Sequence, residues 1–99
     1  MRVFSKSSLI TFWQKHTEAE QSLKAWHDEA ISADWKTPQD IKNRYKSASI
    51  IGNDRIVFNI KGNEFRLIVS IAYPFGAVFI KFIGTHAQYD KVDAVTVEM

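Results

Sequence analysis

Apolar residues in the first part of the chain recur with the spacing of an α-helix. The pattern predicts a first helix that begins at Ser7 or Ser8 and ends at His16, because its large apolar side chains fall on one face. These side chains are Leu9, Ile10, Phe12 and Trp13. The short apolar segment before the helix, residues 1–5, is typical of an edge strand.

A second helix is marked by its start signal. Thr17 and Glu20 have the spacing of a capping box, which predicts a helix that runs to about Ala30. Its apolar face would comprise Leu23, Trp26, Ala30 and Ile31. The first two helices are therefore expected to form an αα-hairpin.

The pattern then changes from helix to strand. Thr37 and Pro38 are typical of an N-cap and a first helical residue, and they predict a short third helix through residues 41–45. From Arg55 onward apolar residues alternate with polar ones, which is the period of a β-strand. Three strands are predicted, over residues 55–60, 64–73 and 77–83.

The remaining segments are less regular. Residues 47–54 are predicted to be a loop, and residues 84–91 a turn or a single helical turn after the last strand. Residues 92–99 form a tail that could either pack on the domain or wait for a partner. Helices followed by strands predict an α+β fold, with two or three N-terminal helices packed on a small antiparallel sheet.

Composition narrows the class of protein. A chain of 99 residues with 45% hydrophobic residues is expected to close one core, so residues 1–99 are interpreted as a single domain. The absence of cysteine excludes disulfides, thiolate nucleophiles and Cys-ligated zinc. No signal peptide or membrane span is visible, and a cytoplasmic protein without a membrane partner is expected.

Positive charge is concentrated in the second half. Between Lys36 and Lys91 there are nine Lys or Arg residues against four Asp or Glu residues, which leaves an excess of five positive charges. Such an excess attracts anions, although a solvated face of ordinary composition is an equally good interpretation of the count alone.

Two cations interrupt apolar strands and are candidates for an anion site. Arg66 lies in the second predicted strand and Lys81 in the third, so both would project from adjacent strands. A guanidinium cannot lose its charge, so Arg66 must be paired or must face a cleft. A structural ion pair with Glu64 or Asp90 is the alternative interpretation.

The segment after the last strand offers titratable side chains. If residues 86–91 coil, His86 lies within contact range of Tyr89 and Asp90. Asp90 could then hold the imidazole in one tautomer for proton transfer. The alternatives are a hydrogen-bonding histidine without a catalytic role, and half of a metal site that lacks a second pair of ligands.

Fixed cations, an imidazole and a phenol suit the cleavage of RNA by its own 2′-hydroxyl. That reaction needs a base, positive groups at the phosphate and an acid for the leaving 5′ oxygen. Tyr89 could stack on an unpaired base. These residue types permit the chemistry without requiring it.

Residues 33–38, 55–69 and 81–91 are the most distinctive stretches of the chain. The last of them places Gly84-Thr85-His86 and Tyr89-Asp90 after the basic strand residue Lys81. Together these stretches closely resemble the HigB family of toxins from bacterial type II toxin–antitoxin systems. The resemblance implies a RelE-like fold and an mRNA endonuclease that acts on translating ribosomes without a metal or cofactor.

The same resemblance implies partners and site residues. The partner would be HigA, a helix-turn-helix antitoxin that represses the shared operon, so operator DNA is contacted only through the antitoxin. The strand arginine of RelE-like toxins falls on Arg66, and the basic residue after their last strand falls on His86. We therefore assign a catalytic role to Arg66, His86, Tyr89 and Asp90, and RNA binding to Asn59, Lys61, Lys81 and Lys91. A non-catalytic module that blocks translation by binding RNA or the ribosome is the alternative function.

Overall fold

The computed structural model describes all 99 residues and has an α+β architecture. Its strands are β1 (Arg2–Phe4), β2 (Ser49–Ile51), β3 (Arg55–Ile60), β4 (Phe65–Ala72) and β5 (Ala77–Thr85). Its helices are α1 (Lys6–Lys15), α2 (Glu20–Ser32), α3 (Pro38–Arg44) and α4 (His86–Tyr89). Three helices thus belong to the N-terminal half, and the fourth follows the last strand. No helix is both long enough and apolar enough to cross a bilayer.

The five strands form one mixed sheet in the order β1-β5-β4-β3-β2. The pairs from β2 to β5 are antiparallel, as predicted, but β1 pairs with β5 in parallel. The prediction of a purely antiparallel sheet is therefore wrong at this edge. The connection from β1 to β5 includes α1 and α2, and a crossover of that length permits parallel pairing.

Three local predictions also need correction. Residues 47–54 are not all loop, because β2 lies among them and pairs with β3 through a tight turn at Gly52–Asp54. The first helix begins at Lys6, after Ser5 in a left-handed conformation, so neither Ser7 nor Ser8 is its cap. A 3-10 turn over Thr17–Ala19 delays α2 to Glu20, and the predicted capping box is absent.

The helices cover one face of the sheet, which we call the helical face. A cluster of 19 buried residues fills the space between them. Trp26 and Trp35 both contact the ring of Phe58, with centroid distances of 5.5 and 6.3 Å. On α2 the predicted apolar face is buried except for Ile31, which is 49% exposed. Burial of these aromatic rings fixes the position of the sheet relative to α2.

The opposite face, which we call the site face, is crossed by the C-terminal tail. Arg55 on this face is only 2% exposed, and its guanidinium donates to the carbonyl oxygens of Ala94 and Val97 at 3.1 and 2.7 Å. It also donates to Glu98 Oε2 at 2.7 Å. A buried guanidinium requires such partners, so the tail packs on the sheet.

Candidate active site

The register of the sheet assembles the centre of the site. Arg66 on β4 pairs with Asn59 on β3 and with Gly84 on β5. Residues paired across strands point to the same face, so these three positions form a row on the site face. The row lies at the end of the sheet where β5 leads into α4.

Arg66 has no carboxylate partner. Its Nη1 donates to the carbonyl oxygen of Asn63 at 3.1 Å, and its guanidinium lies over the ring of Tyr89 at 5.7 Å. The alternative of a structural ion pair is not realised, because Glu64 pairs with Lys61 and Asp90 pairs with His86. No side chain therefore neutralises the positive charge of Arg66, and the guanidinium remains available to an anion.

A short helix presents the titratable side chains. Thr85 accepts from the backbone N–H of Gln88 at 3.2 Å, while the Gln88 side chain accepts from the N–H of Thr85 at 2.9 Å. This capping box starts α4 immediately after β5. The N–H of His86 also donates to the carbonyl oxygen of Glu64 at 3.1 Å, which ties α4 to the start of β4.

The predicted contact between His86 and Asp90 is present. His86 Nδ1 lies 3.1 Å from Asp90 Oδ2, and the two side chains are 52% and 58% exposed. When Nδ1 carries the hydrogen it donates to Asp90, which leaves Nε2 as an acceptor. The pair can thus exchange a proton with a group that approaches from solvent.

The residues assigned to RNA binding are arranged differently from one another. Asn59 lies beside Arg66 in the sheet, as described above. Lys61 occupies the β3–β4 turn in a left-handed conformation and lies 3.6 Å from Glu64. Lys91 is exposed just beyond α4. Lys81 is partly buried, with 25% of its side chain exposed, and its Nζ donates to Glu98 Oε1 at 2.9 Å.

Glu98 therefore joins two cations of the site face. The hydrogen bond from Lys81 lowers the pKa of Glu98 below its ordinary value, and the charge of Arg55 acts in the same direction. The sequence gives no sign of this contact, since Glu98 is far from both partners along the chain and lies in an aperiodic tail.

Phe82 is a second feature that the sequence analysis missed. A β-bulge between β4 and β5 places Phe82 opposite Ile68, two positions from Arg66, so Phe82 shares the site face. Its ring lies over Gly84, where an added Cβ would be only 2.5 Å from Cζ. The available signal for this contact is Gly84, two positions after Phe82, because a glycine in a strand often marks a site of close approach.

The side chains offer little to a metal ion. His86 and Asp90 supply two possible donors, and no group of three or more His, Cys, Asp or Glu side chains is assembled anywhere in the structure. Metal sites in proteins commonly use at least three such ligands.

Comparison with known proteins agrees with the resemblance of the motifs. The model of the HigB toxin family, described as a RelE-like toxic component of a toxin–antitoxin system, matches residues 19–92. The mRNA interferase HigB of Escherichia coli O6:H1 (strain CFT073) is 24% identical over 94 residues, which cover 93% of this chain and 91% of that protein.

Two further relatives are similar over nearly their whole length. The mRNA interferase toxin HigB of Escherichia coli K12 and the mRNA interferase HigB of Shigella flexneri are each 24% identical over 97 residues, covering 96% of this chain and 93% of theirs. The family match includes every residue of the candidate site. The chain therefore belongs to the HigB toxins, the RelE-like toxic components of toxin–antitoxin systems.

Proposed function

We propose that this toxin is an mRNA interferase that cuts messages on translating ribosomes. One observation carries the proposal. The guanidinium of Arg66, which has no carboxylate partner, lies over the ring of Tyr89. Tyr89 belongs to the short helix α4, which begins with His86, the partner of Asp90. A cation beside the short helix that carries the imidazole supports acid–base cleavage of an anionic substrate. The names of the E. coli and Shigella relatives support this activity.

The reaction that fits these groups is transesterification within the RNA. The 2′ oxygen attacks the adjacent phosphorus and loses its proton, the bond from phosphorus to the 5′ oxygen breaks, and the leaving oxygen gains a proton. His86 exchanges a proton with one of these two oxygens, and Asp90 orients its ring. Arg66 stabilises the negative charge on the phosphoryl oxygens. No step requires a metal ion.

The other assigned residues would hold the message. Lys61, Lys81 and Lys91 contact the phosphate backbone, Asn59 contacts RNA beside Arg66, and Tyr89 stacks on a base. The ribosome presents the message, so the toxin acts in the cytoplasm. Its inhibitor is a HigA-like antitoxin with a helix-turn-helix domain, through which alone the complex contacts operator DNA.

Expression without antitoxin tests the assignment. Arg66→Ala and His86→Ala should each abolish growth arrest, since loss of a charge-stabilising donor costs about 100- to 1,000-fold in rate and loss of a general acid–base group about 100- to 10,000-fold. Arg2→Ala is the matched control and should leave toxicity unchanged, because Arg2 is exposed on the edge strand β1 and pairs with Ala77, at the end of β5 opposite to Gly84. Circular dichroism must show that all three variants fold.

The products distinguish an enzyme from a protein that only blocks translation. Primer extension on messages from cells that express the wild type should reveal new 5′ ends within reading frames. Growth arrest with intact messages would contradict the proposal and favour the non-catalytic alternative. Cleavage by the purified toxin should persist in EDTA when the ribosomes are kept intact by a polyamine.

A further inference from the structure

Phe82 lies on the site face opposite Ile68, and its ring packs over Gly84. Its side chain is partly exposed, and it belongs neither to the buried core nor to any of the aromatic pairs. Phe79 on the same strand differs, because its ring stacks on Phe4 at 4.9 Å. Phe79 therefore has an aromatic partner within the fold, whereas the ring of Phe82 stacks on no other ring.

The local backbone is shaped to accommodate the ring of Phe82. The β-bulge at this point turns Phe82 toward the site face. Gly84, which is the cross-strand neighbour of Arg66, leaves its Cβ volume to the ring, with Cζ and Cε2 at 2.5 and 2.9 Å from an ideal Cβ. Any larger residue at position 84 would displace the ring, because contacts shorter than 3.0 Å are not tolerated by real Cβ atoms.

The ring of Phe82 thereby extends a surface that already includes an aromatic ring and a cation. Arg66 lies over Tyr89 on one side and pairs with Gly84, beneath the Phe82 ring, on the other. Alternation of aromatic rings with a guanidinium is the chemistry that binds single-stranded RNA, since bases stack on the rings and phosphates pair with the cation.

We infer that Phe82 is a second stacking platform for an unpaired base, next to the one that binds at Tyr89, and that Gly84 makes room for it. This inference rests on the proposed function and assigns a base-binding position to the same site. A stacked base contributes about 1–3 kcal/mol, which corresponds to about 5- to 150-fold in binding.

The experiment measures single-turnover cleavage of a short message on programmed ribosomes as a function of toxin concentration. Phe82→Leu should raise the toxin concentration for half-maximal rate by about 5-fold or more, because the leucine keeps apolar volume but loses the stacking face. Phe79→Leu, the matched control on the same strand, should leave that concentration unchanged. Gly84→Ala should weaken cleavage at least as much as Phe82→Leu, since its methyl group displaces the ring and also lies 2.9 Å from Gln88 Oε1, which caps α4.

Abasic substitutions in the message separate recognition from a structural effect. At one position of the exposed codon, removal of the base should weaken the wild type and abolish its advantage over Phe82→Leu. The inference is overturned if Phe82→Leu matches the wild type, or if its defect persists with an abasic site at every position. Failure of the wild type to cleave any ribosome-bound message would instead refute the proposed function, and this inference with it.

Discussion

Among single residues, His27 is unusual because it is a buried titratable residue. It is only 8% exposed and lies among the buried residues of α2. Burial lowers its pKa below the ordinary 6.5, and Lys6 adds to the effect while Asp28 opposes it. The folded protein thus protonates His27 less readily than the unfolded chain, in which the imidazole binds a proton near pH 6.5. Stability from this residue is complete above that pH and declines as the pH falls below it.

This linkage predicts a measurable difference in the free energy of unfolding between pH 8 and pH 5.5. The free energy of unfolding in urea should be lower at pH 5.5, and His27→Gln should reduce the difference because glutamine does not titrate. His86→Gln is the control, since it removes an exposed imidazole and leaves the buried one. An unchanged pH dependence in His27→Gln would contradict the prediction.

At the scale of elements, two threonines with the same sequence signal behave differently. Thr37 accepts from the N–H of Asp40 at 3.3 Å, and the Asp40 carboxylate accepts from the N–H of Thr37 at 3.1 Å. Thr17 makes no capping bond, and Glu20 instead accepts from Lys24 at 2.5 Å. Only Thr37 therefore completes a capping box.

Alanine substitutions should therefore have unequal effects on stability. Thr37→Ala is expected to lower the free energy of unfolding by about 1 kcal/mol, the typical value of an N-cap. Thr17→Ala should change it by less than about 0.5 kcal/mol, as is usual for exposed positions. Urea denaturation of both variants checks this order, and a larger loss for Thr17→Ala would show that the capping bonds are assigned to the wrong helix.

The same comparison explains which elements could be predicted from sequence. The long periodic elements, such as β4 and α2, follow from local spacing, and the predicted apolar face of α2 is buried apart from Ile31. The strand β2 has three residues and a mostly exposed pattern, too short to display a period. The parallel pairing of β1 depends on a partner distant in sequence, which no local pattern encodes.

The candidate site divides in the same way. The contact between His86 and Asp90 could be predicted, because a spacing of four residues along a helical turn brings two side chains together. The lack of a carboxylate at Arg66 and the pairing of Lys81 with Glu98 could not, since both depend on how distant segments meet on the site face.

At the scale of the whole molecule, the C-terminal tail connects two strands of the sheet that do not pair with each other. Glu98 accepts from Arg55 on β3 and from Lys81 on β5, so one carboxylate bridges two strands across β4. The pKa of Glu98 lies below its ordinary 4.5. Its contribution to stability is therefore present above about pH 4.5 and is lost as the pH falls through the lowered value.

Glu98→Gln should loosen the tail and lower the midpoint of denaturation at neutral pH. Amide hydrogen exchange should become faster at Thr96 and Val97, whose N–H groups donate to the carbonyl oxygen of Asp93 within the tail. The wild type should lose this advantage in acid, so that the two proteins converge once the pH falls below the lowered pKa of Glu98. Glu18→Gln removes an exposed carboxylate from the helical half and serves as the control.

The parallel pairing of β1 with β5 also has a consequence for the time course of synthesis. Arg2 pairs with Ala77, so the first strand has no partner until β5 has been made, about 4–15 s later at 5–20 residues per second. Arg66 is made earlier, but Gly84 and His86 belong to the segment that completes the sheet. A nascent chain that has not yet reached β5 thus carries no assembled site, and the toxin can complete its site only after β5 and α4 have been made.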